Sequence, residues 1–300
     1  MERLLRNIGE FGLIALLQRQ FSKGKNVIQG IGDDAAVLPF YNKEYLLLTT
    51  DMMMEGVHFH PETLPEAIGH KAMACNISDI VAMGGTPTFA VVSLGLSANR
   101  RIEFVRRLYH GMHRISRLFG VAIVGGDTIK SRKLIVNIAL LGKVKKNQLV
   151  TRAGAQKGDF IFVTGPLGGS LKSGYHLLFK PRFKESQYLV KNFKPSAMID
   201  ISDGLVADLG HILEESKVGA VLYEPLIPKN KGVSLQQALY EGEDFELNFT
   251  LPLSKARRLS QNRQFPFYFI GQIVDKREGL QLIRRDGNKT ILTPKGFTHF

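Results

Sequence analysis

The segment Lys143–Lys157, KVKKNQLVTRAGAQK, is polar and basic and carries no sustained apolar period, unlike the chain on either side of it. It reads as a junction. Upstream, short apolar or β-branched runs bounded by turn formers predict strands at 45–49 (YLLLT), 89–96 (FAVVSLGL), 121–124 (VAIV) and 134–140 (LIVNIAL). Helical spacing predicts helices at 65–83 and 101–119, the second with Ile102, Val105, Leu108, Met112, Ile115 and Phe119 along one face. Downstream the pattern restarts: a strand at 159–164 ends in the Gly-rich turn GPLGGS, helices are predicted at 171–179 and 203–215, and strands at 245–251, 267–274 and 280–284. The length of 300 residues suits two domains, and strands with grouped helices in both halves predict an α+β fold with domains at 1–147 and 148–300.

Composition excludes several classes. Hydrophobic residues make up 44% of the chain, enough for a substantial core, so a disordered or collagen-like chain is out. Cys75 is the single cysteine, which rules out an intramolecular disulfide framework and a thiolate metal site and favours a reducing cytoplasm. In the middle of a predicted helix it reads as a buried structural thiol. Neither a signal peptide nor a membrane span is expected, because Glu2 and Glu10 interrupt the N-terminal apolar stretch and no apolar run is long enough to span. The net charge of +13 first points toward polyanions. The arginines at 100, 101, 106, 107, 114 and 117 lie along one predicted helix that has an apolar opposite face and belongs to no known nucleic-acid module. They read as a solvated face, and no nucleic-acid or membrane partner is expected.

The acids carry the chemistry. Of the twelve Asp, eight fall in short apolar or Gly-rich motifs: Gly32-Asp33-Asp34-Ala35-Ala36, Thr49-Thr50-Asp51, Asn76-Ile77-Ser78-Asp79, Gly125-Gly126-Asp127-Thr128, Asp200-Ile201-Ser202-Asp203-Gly204 and Glu241-Gly242-Glu243-Asp244. None of these motifs contains a Lys or Arg. Each alone suits a cap or turn. Together, at strand ends and glycine turns, they look like ligands for an external cation. Carboxylates with Thr and Ser hydroxyls suit Mg²⁺, whose shell substrate phosphates commonly complete. The expectation is metal-assisted phosphate chemistry. The chain lacks a P-loop and the protein-kinase signatures. Gly30-Ile31-Gly32-Asp33-Asp34-Ala35 matches G-x-G-x-x-A but is discounted, since a dinucleotide loop needs a following helix and two carboxylates there would repel a pyrophosphate.

The ordered series GIGDDAAV (30–37), TTDMMMEGVHF (49–59), HKAMACNISDIVAMGGTP (70–87), VGGDTIKS (124–131), TRAGAQKGDFIFVTG (151–165), IDISDGLVADLGHI (199–212), EGEDFEL (241–247) and KGFTHF (295–300) resembles the thiamine-monophosphate kinase family. That family belongs among the ATP-using enzymes typified by aminoimidazole ribonucleotide synthetase. The resemblance implies direct in-line transfer of the γ-phosphoryl group of ATP to thiamine monophosphate, with several Mg²⁺ ions. It implies a metal shell of Asp33, Asp34, Thr49, Thr50, Asp51, Asp79, Asp127, Asp200 and Asp203, with Asp33 either a ligand or a support for Asp34. Asp51, Asp79, Asp127 and Asp203 would be the catalytic carboxylates. Tyr109, Gly126, Asp127, Arg152 and Ser202 match nucleotide-binding positions, and His58, Glu243 and Phe297 match positions that contact the thiamine phosphate. A homodimer is implied, formed through the N-terminal sheet as a barrel-like layer, with the C-terminal α+β domain packed on it and metals between the domains. Two positions depart from the family: Glu241 where it usually has Gly, and Pro294 where it often has an aromatic.

Among related enzymes, selenophosphate synthetase and the hydrogenase-maturation dehydratase would need a reactive cysteine in terminal segments, where this chain has none. Aminoimidazole ribonucleotide synthetase fits the TTD-to-His58 and EGEDFEL segments less well.

Overall fold

The computed structural model describes residues 4–20, 24–294 and 296. The first sheet contains β1 (Ala36–Pro39), β2 (Glu44–Met54), β3 (Thr86–Leu96), β4 (Ala122–Lys130) and β5 (Ile135–Lys145). They are ordered β1-β2-β5-β3-β4, antiparallel except for the β3–β4 pair. The second sheet orders β12-β11-β8-β10-β6-β9-β7. Its strands are β6 (Phe160–Val163), β7 (Ala197–Asp200), β8 (Gly219–Tyr223), β9 (Leu247–Leu251), β10 (Tyr268–Val274), β11 (Leu280–Ile283) and β12 (Lys289–Ile291). The helices are α1 (Gly9–Gln20), α2 (Pro65–Ala82), α3 (Ile102–Phe119), α4 (Ser170–Ser173), α5 (Phe183–Asn192), α6 (Leu205–Ser216), α7 (Leu235–Tyr240) and α8 (Leu253–Ser260).

α2 is the centre of the molecule. Apolar and small residues lie all around it, so nearly its whole length is buried rather than one stripe. It packs on β2, β3 and β5 of the first sheet and against β7 and α5 of the second half. One hydrophobic cluster accordingly runs from Leu47, Ile77 and Ile138 through Val81 to Leu189, Val190 and Phe249. Gly69 and Gly111 let α2 and α3 approach backbone to backbone; a Cβ on Gly69 would overlap the Leu108 carbonyl, and one on Gly111 the Glu66 carbonyl. α3 is amphipathic, burying Leu108, Met112 and Ile115 and leaving its arginines outward, although Ile102 is exposed rather than on the buried face. A second cluster, around Ile161, Ile199, Leu209, Leu222 and Ile270, fills the layer between α6 and the second sheet.

Several elements depart from the sequence expectations: α1, α5, α7, α8, β1, β7, β8 and β12 had no predicted counterpart, and β2 and β5 run past their predicted ends to Met54 and Lys145. The strand predicted at 121–124 continues through Gly-Gly-Asp-Thr to Lys130, paired along β3, because the ladder outlasts the apolar run. The helix predicted at 171–179 is a single turn plus a 3-10 segment, because Gly174 takes a left-handed conformation that stops it. The loop at Gly30–Ala35 leads into strand β1 and not into a helix, in keeping with the dismissal of the dinucleotide fingerprint.

Candidate active site

Two cavities open side by side between the sheets. The first, about 610 Å³, is lined by Asp33, Asp34, Thr49, Thr50, Asp51, Asp79, Arg152, Asp200, Ser202 and Asp203, with Phe11, Ile14 and Ile31 on its apolar side. The second, about 710 Å³, is lined by His58, Lys71, Cys75 and Glu243 and shares Thr50, Asp51, Asp79, Ser202 and Asp203 with the first. The shared residues form a common wall.

Each acid is delivered by a different device. A turn at Gly32, φ +117°, presents Asp33 and Asp34 just before β1. Thr49 and Asp51 alternate with Thr50 along β2, and the Thr49 hydroxyl donates to Asp79 Oδ2 of α2 at 2.5 Å. The Thr50 hydroxyl donates to the Ile138 carbonyl of β5 at 3.1 Å. Asp200 ends β7 and accepts from the Ser78 hydroxyl at 2.5 Å. Asp203 precedes α6, and the Asp208 carboxylate accepts the N–H groups of Asp203 and Gly204, each at 3.0 Å, as an N-terminal brace.

The motifs hold no cation of their own; one arrives from the junction. Arg152 donates to Asp34 Oδ1 through Nε at 3.2 Å and Nη2 at 2.6 Å, and its backbone N–H donates to Asp33 Oδ2 at 3.1 Å. The guanidinium is held firmly protonated by Asp34 and Asp33 against its own burial. One arginine does not balance the cluster. Burial first, then the Asp34 charge, pushes Asp33 up to about 7; burial, then Glu243 and Asp34, pushes Asp51 up to about 6; burial, then Asp34, pushes Asp200 up to about 8. Asp79 is raised well above the usual carboxylate range by burial and by Asp51 and Asp200. Asp34 Oδ2 is buried and accepts no hydrogen bond among the described residues. Several desolvated carboxylates facing one another, with an orphaned oxygen among them, are the donor set that a hard divalent cation satisfies.

The wall of the second cavity is built by the 241–246 loop. Glu243 N–H donates to the Ser202 carbonyl and Phe245 N–H to the Ile201 carbonyl, each at 2.7 Å, laying the loop beside the Asp200–Asp203 motif. Glu243 and Phe245 both take left-handed backbone conformations, φ +68° and +51°, which non-glycine residues avoid unless the surroundings enforce them. Phe245 is clamped by stacking on Phe179, ring centroids 3.8 Å apart. A Cβ on Gly242 would overlap the Ser202 carbonyl, so only glycine fits there. His58 Nδ1 accepts the Met54 N–H at 3.0 Å.

Asp244 is a correction to the reading of its motif as a cation ligand. Both its oxygens accept the Gly168 N–H, at 2.8 and 3.0 Å, and Glu241 accepts the Gly169 N–H at 2.7 Å. The GPLGGS turn is thus filled by the protein's own carboxylates. Tyr109, Gly126 and Asp127 lie outside both cavities, on α3 and β4. Asp127 is three strands from β2, roughly 14 Å at the usual ~4.8 Å strand spacing. A Cβ on Gly126 would overlap the Val92 carbonyl, which gives that glycine a packing reason of its own. Phe297 lies outside the described residues.

Lys71, Cys75, Asp208 and His211 are among the cleft or near-cleft residues to which the sequence assigned no role in the site. Lys71 and Cys75 precede Asp79 at four-residue intervals on α2, a spacing that puts all three on one helix face. Cys75 is half-buried in the second cavity, and its thiol is raised by burial and by the Asp51 charge. Asp208 and His211 are three apart on α6, and their donor atoms lie within 4.8 Å of each other and of Asp203's. Burial and Arg152 hold His211 down at about 4, so it is neutral.

Residues 32–144 match the family model of the AIR synthase related protein, N-terminal domain. Thiamine-monophosphate kinase of Aquifex aeolicus is 34% identical over 99% of both chains, that of Bacillus subtilis 32% identical over 97% of this chain and 99% of its own, and that of Escherichia coli 34% identical over 97% and 98%. The chain belongs to the thiamine-monophosphate kinase family. A solved structure described as AaThiL complexed with AMPPCP and TMP superposes with a TM-score of 0.88 at 33% identity, covering 100% of this chain and 99% of that one. The hydrogenase maturation protein HypE in complex with ATP, at 20% identity and TM-score 0.69, shares the fold.

Proposed function

We propose that the two cavities are a nucleotide chamber and an acceptor chamber, with the phosphoryl group passing across their common wall. The chain is an ATP-dependent phosphotransferase that converts thiamine monophosphate to thiamine diphosphate, as its full-length relatives are named for doing. The observation that carries the reading is the shared wall of Thr50, Asp51, Asp79, Ser202 and Asp203: an in-line transfer needs both ligands on opposite sides of one charge-neutralising centre.

An acceptor phosphate oxygen attacks the γ-phosphorus, the bond to the β–γ bridging oxygen breaks, and ADP leaves. The acceptor is already an ionised phosphate, so no general base is required. Asp34, Thr49, Thr50, Asp51, Asp79, Asp200 and Asp203, with Asp33 alongside, would hold Mg²⁺. Bound there, Mg²⁺ supplies neutralisation of the converging phosphate charges. Ser202 and Arg152 face the nucleotide, and Arg152 also keeps Asp34 in place. Glu243 and His58 flank the acceptor, with Phe297 assigned to it by resemblance.

The reading includes a homodimer through the first sheet. The sheet face turned away from α2 exposes Leu48, Met52, Phe89, Val91 and Ile129, and an uncovered apolar sheet face is an interface signature. A second copy seated there, completing a barrel-like layer, is where Tyr109, Gly126 and Asp127 can meet a nucleotide bound in the other cleft. In this reading 1–147 binds nucleotide and metal and dimerises, and 148–300 completes the cleft. No helix among the described residues is long and apolar enough to cross a membrane, and a cytoplasmic setting suits the free thiol of Cys75.

The test is ADP release from ATP with Mg²⁺ and thiamine monophosphate, set against aminoimidazole precursors as alternative acceptors. Turnover only with the thiamine ester is expected; its absence with that ester defeats the reading.

A further inference from the structure

Lys71 is among the most deeply buried side chains in the molecule, at 1% exposure on α2. A buried ammonium is costly unless its donors are satisfied. Its Nζ reaches Glu243 Oε1 at 2.7 Å, the His58 carbonyl at 3.0 Å and His176 Nδ1 at 3.1 Å. His176 is held down at about 4 by burial and by Lys71 itself, so it is neutral and its Nδ1 accepts. An ammonium has three N–H donors, and three acceptors surround this one. It therefore has none left for a phosphate.

The three acceptors come from separate parts of the chain: the turn after β2, the 3-10 segment Tyr175–Leu177 and the strained 241–246 loop. Two belong to residues that flank the acceptor chamber. With Oε1 committed to Lys71, the other Glu243 oxygen, Oε2, is buried, accepts no hydrogen bond among the described residues and lies 3.9 Å from His176 Nδ1. It is the Glu243 oxygen that the described residues leave without a donor.

We infer that Lys71 is a positioning residue for the acceptor: by holding Glu243 Oε1, the His58 backbone and His176 together, it presents Glu243 Oε2 to a hydrogen-bond donor on the acceptor's heterocycle. The inference rests on the acceptor-chamber assignment above. Lys71 acts through Glu243 and His58 and touches neither phosphate nor nucleotide, so its loss changes acceptor recognition selectively.

The experiment measures KM for thiamine monophosphate and for ATP, and calorimetric binding of thiamine monophosphate, in the wild type, Lys71→Met, Lys71→Arg and Glu243→Gln. Lys71→Met is expected to raise the acceptor KM and Kd by about tenfold or more, from loss of a hydrogen bond to a charged group, and to leave the ATP KM within about twofold. The effect should largely vanish when Lys71→Met is added to Glu243→Gln, since coupled residues are non-additive. Lys71→Arg keeps the charge but cannot meet three acceptors from one nitrogen, so its acceptor KM should fall between. An unchanged acceptor KM, or an ATP KM raised equally, overturns the inference. If Lys71→Met does not fold, Lys71→Arg decides: an acceptor KM within about twofold of wild type overturns it. A wild type that turns over with an unshifted variant sinks only the role of Lys71. A wild type inactive on thiamine monophosphate sinks the functional reading and this inference together.

Discussion

Two buried acidic groups lie within one loop's reach of each other and have opposite fates. Around the GPLGGS turn, Glu246 is bonded by both Arg182 and the Thr164 hydroxyl, Asp244 takes the Gly168 N–H and Glu241 the Gly169 N–H. Across the 200–203 motif, the side chains of Asp33, Asp34, Asp51, Asp79 and Asp200 meet one arginine, two hydroxyl donors and two backbone N–H groups, and Asp34 Oδ2 accepts no hydrogen bond among the described residues. The first group is closed by the fold and braces the loop carrying Glu243. The second is left short of positive charge among the described residues, and this is the shortfall that the proposed cation would make good. The same residue type is structural where the chain supplies its partners and functional where it withholds them.

Exchanging charges tests that contrast. Asp51→Asn should cut kcat on the order of a thousandfold, the scale of losing a group that stabilises transition-state charge. Thermal stability of the metal-free protein should be unchanged or higher, because Asp51 sits among like charges. Steady-state kinetics beside a melting curve check both, and retained activity in a folded variant would remove Asp51 from the metal shell.

The closed group should respond the other way. Arg182→Met leaves Glu246, whose side chain is 3% exposed, without its cation and should cost about 3 kcal/mol of stability. Denaturant unfolding measures this. A loss no larger than that of a surface substitution would mean that Thr164 alone satisfies the carboxylate.

The smallest expected effect is on pH. Burial and neighbouring carboxylates push Asp33, Asp51 and Asp200 up to about 7, 6 and 8, above the ordinary carboxylate value, so between about pH 4 and 8 these three carboxyls hold more protons in the folded protein than in the unfolded one. These groups therefore favour folding at low pH and lose that contribution as pH rises through the folded values. Mg²⁺ should raise the melting temperature more at pH 8 than at pH 5.5, by a few degrees at roughly 2 °C per kcal/mol. Equal shifts at the two pH values would show that the carboxylates are not where the ion binds.

Much of the cleft was legible in the sequence because its parts are local. Thr-Thr-Asp on an apolar strand, Asn-Ile-Ser-Asp on a helix and two Asp around Ile-Ser each announce themselves as acids where solvation does not require them. Their convergence was not legible from spacing. The partners Thr49 and Asp79 are separated by 30 positions, Ser78 and Asp200 by 122, and Arg152 and Asp34 by 118. Lys71 escaped because one lysine in an apolar helix has no local signature beyond its four-residue offset from Cys75 and Asp79. Asp244 misled for the converse reason: its motif resembles the others, and only the glycine N–H groups folded against it disclose that its acceptors are already used.

By itself the sequence determined the α+β layers, the clustering of acids in short local motifs and, through its ordered motifs, the family. These depend on residue type, on period and on short-range turn chemistry, all written within a few positions of each other. Tertiary structure alone decided which carboxylates are satisfied and which are stranded, that two chambers share one wall, and that Lys71 joins three distant segments. Desolvation and charge pairing act through space, so they depend on what the fold brings within hydrogen-bond reach and not on what the chain places nearby.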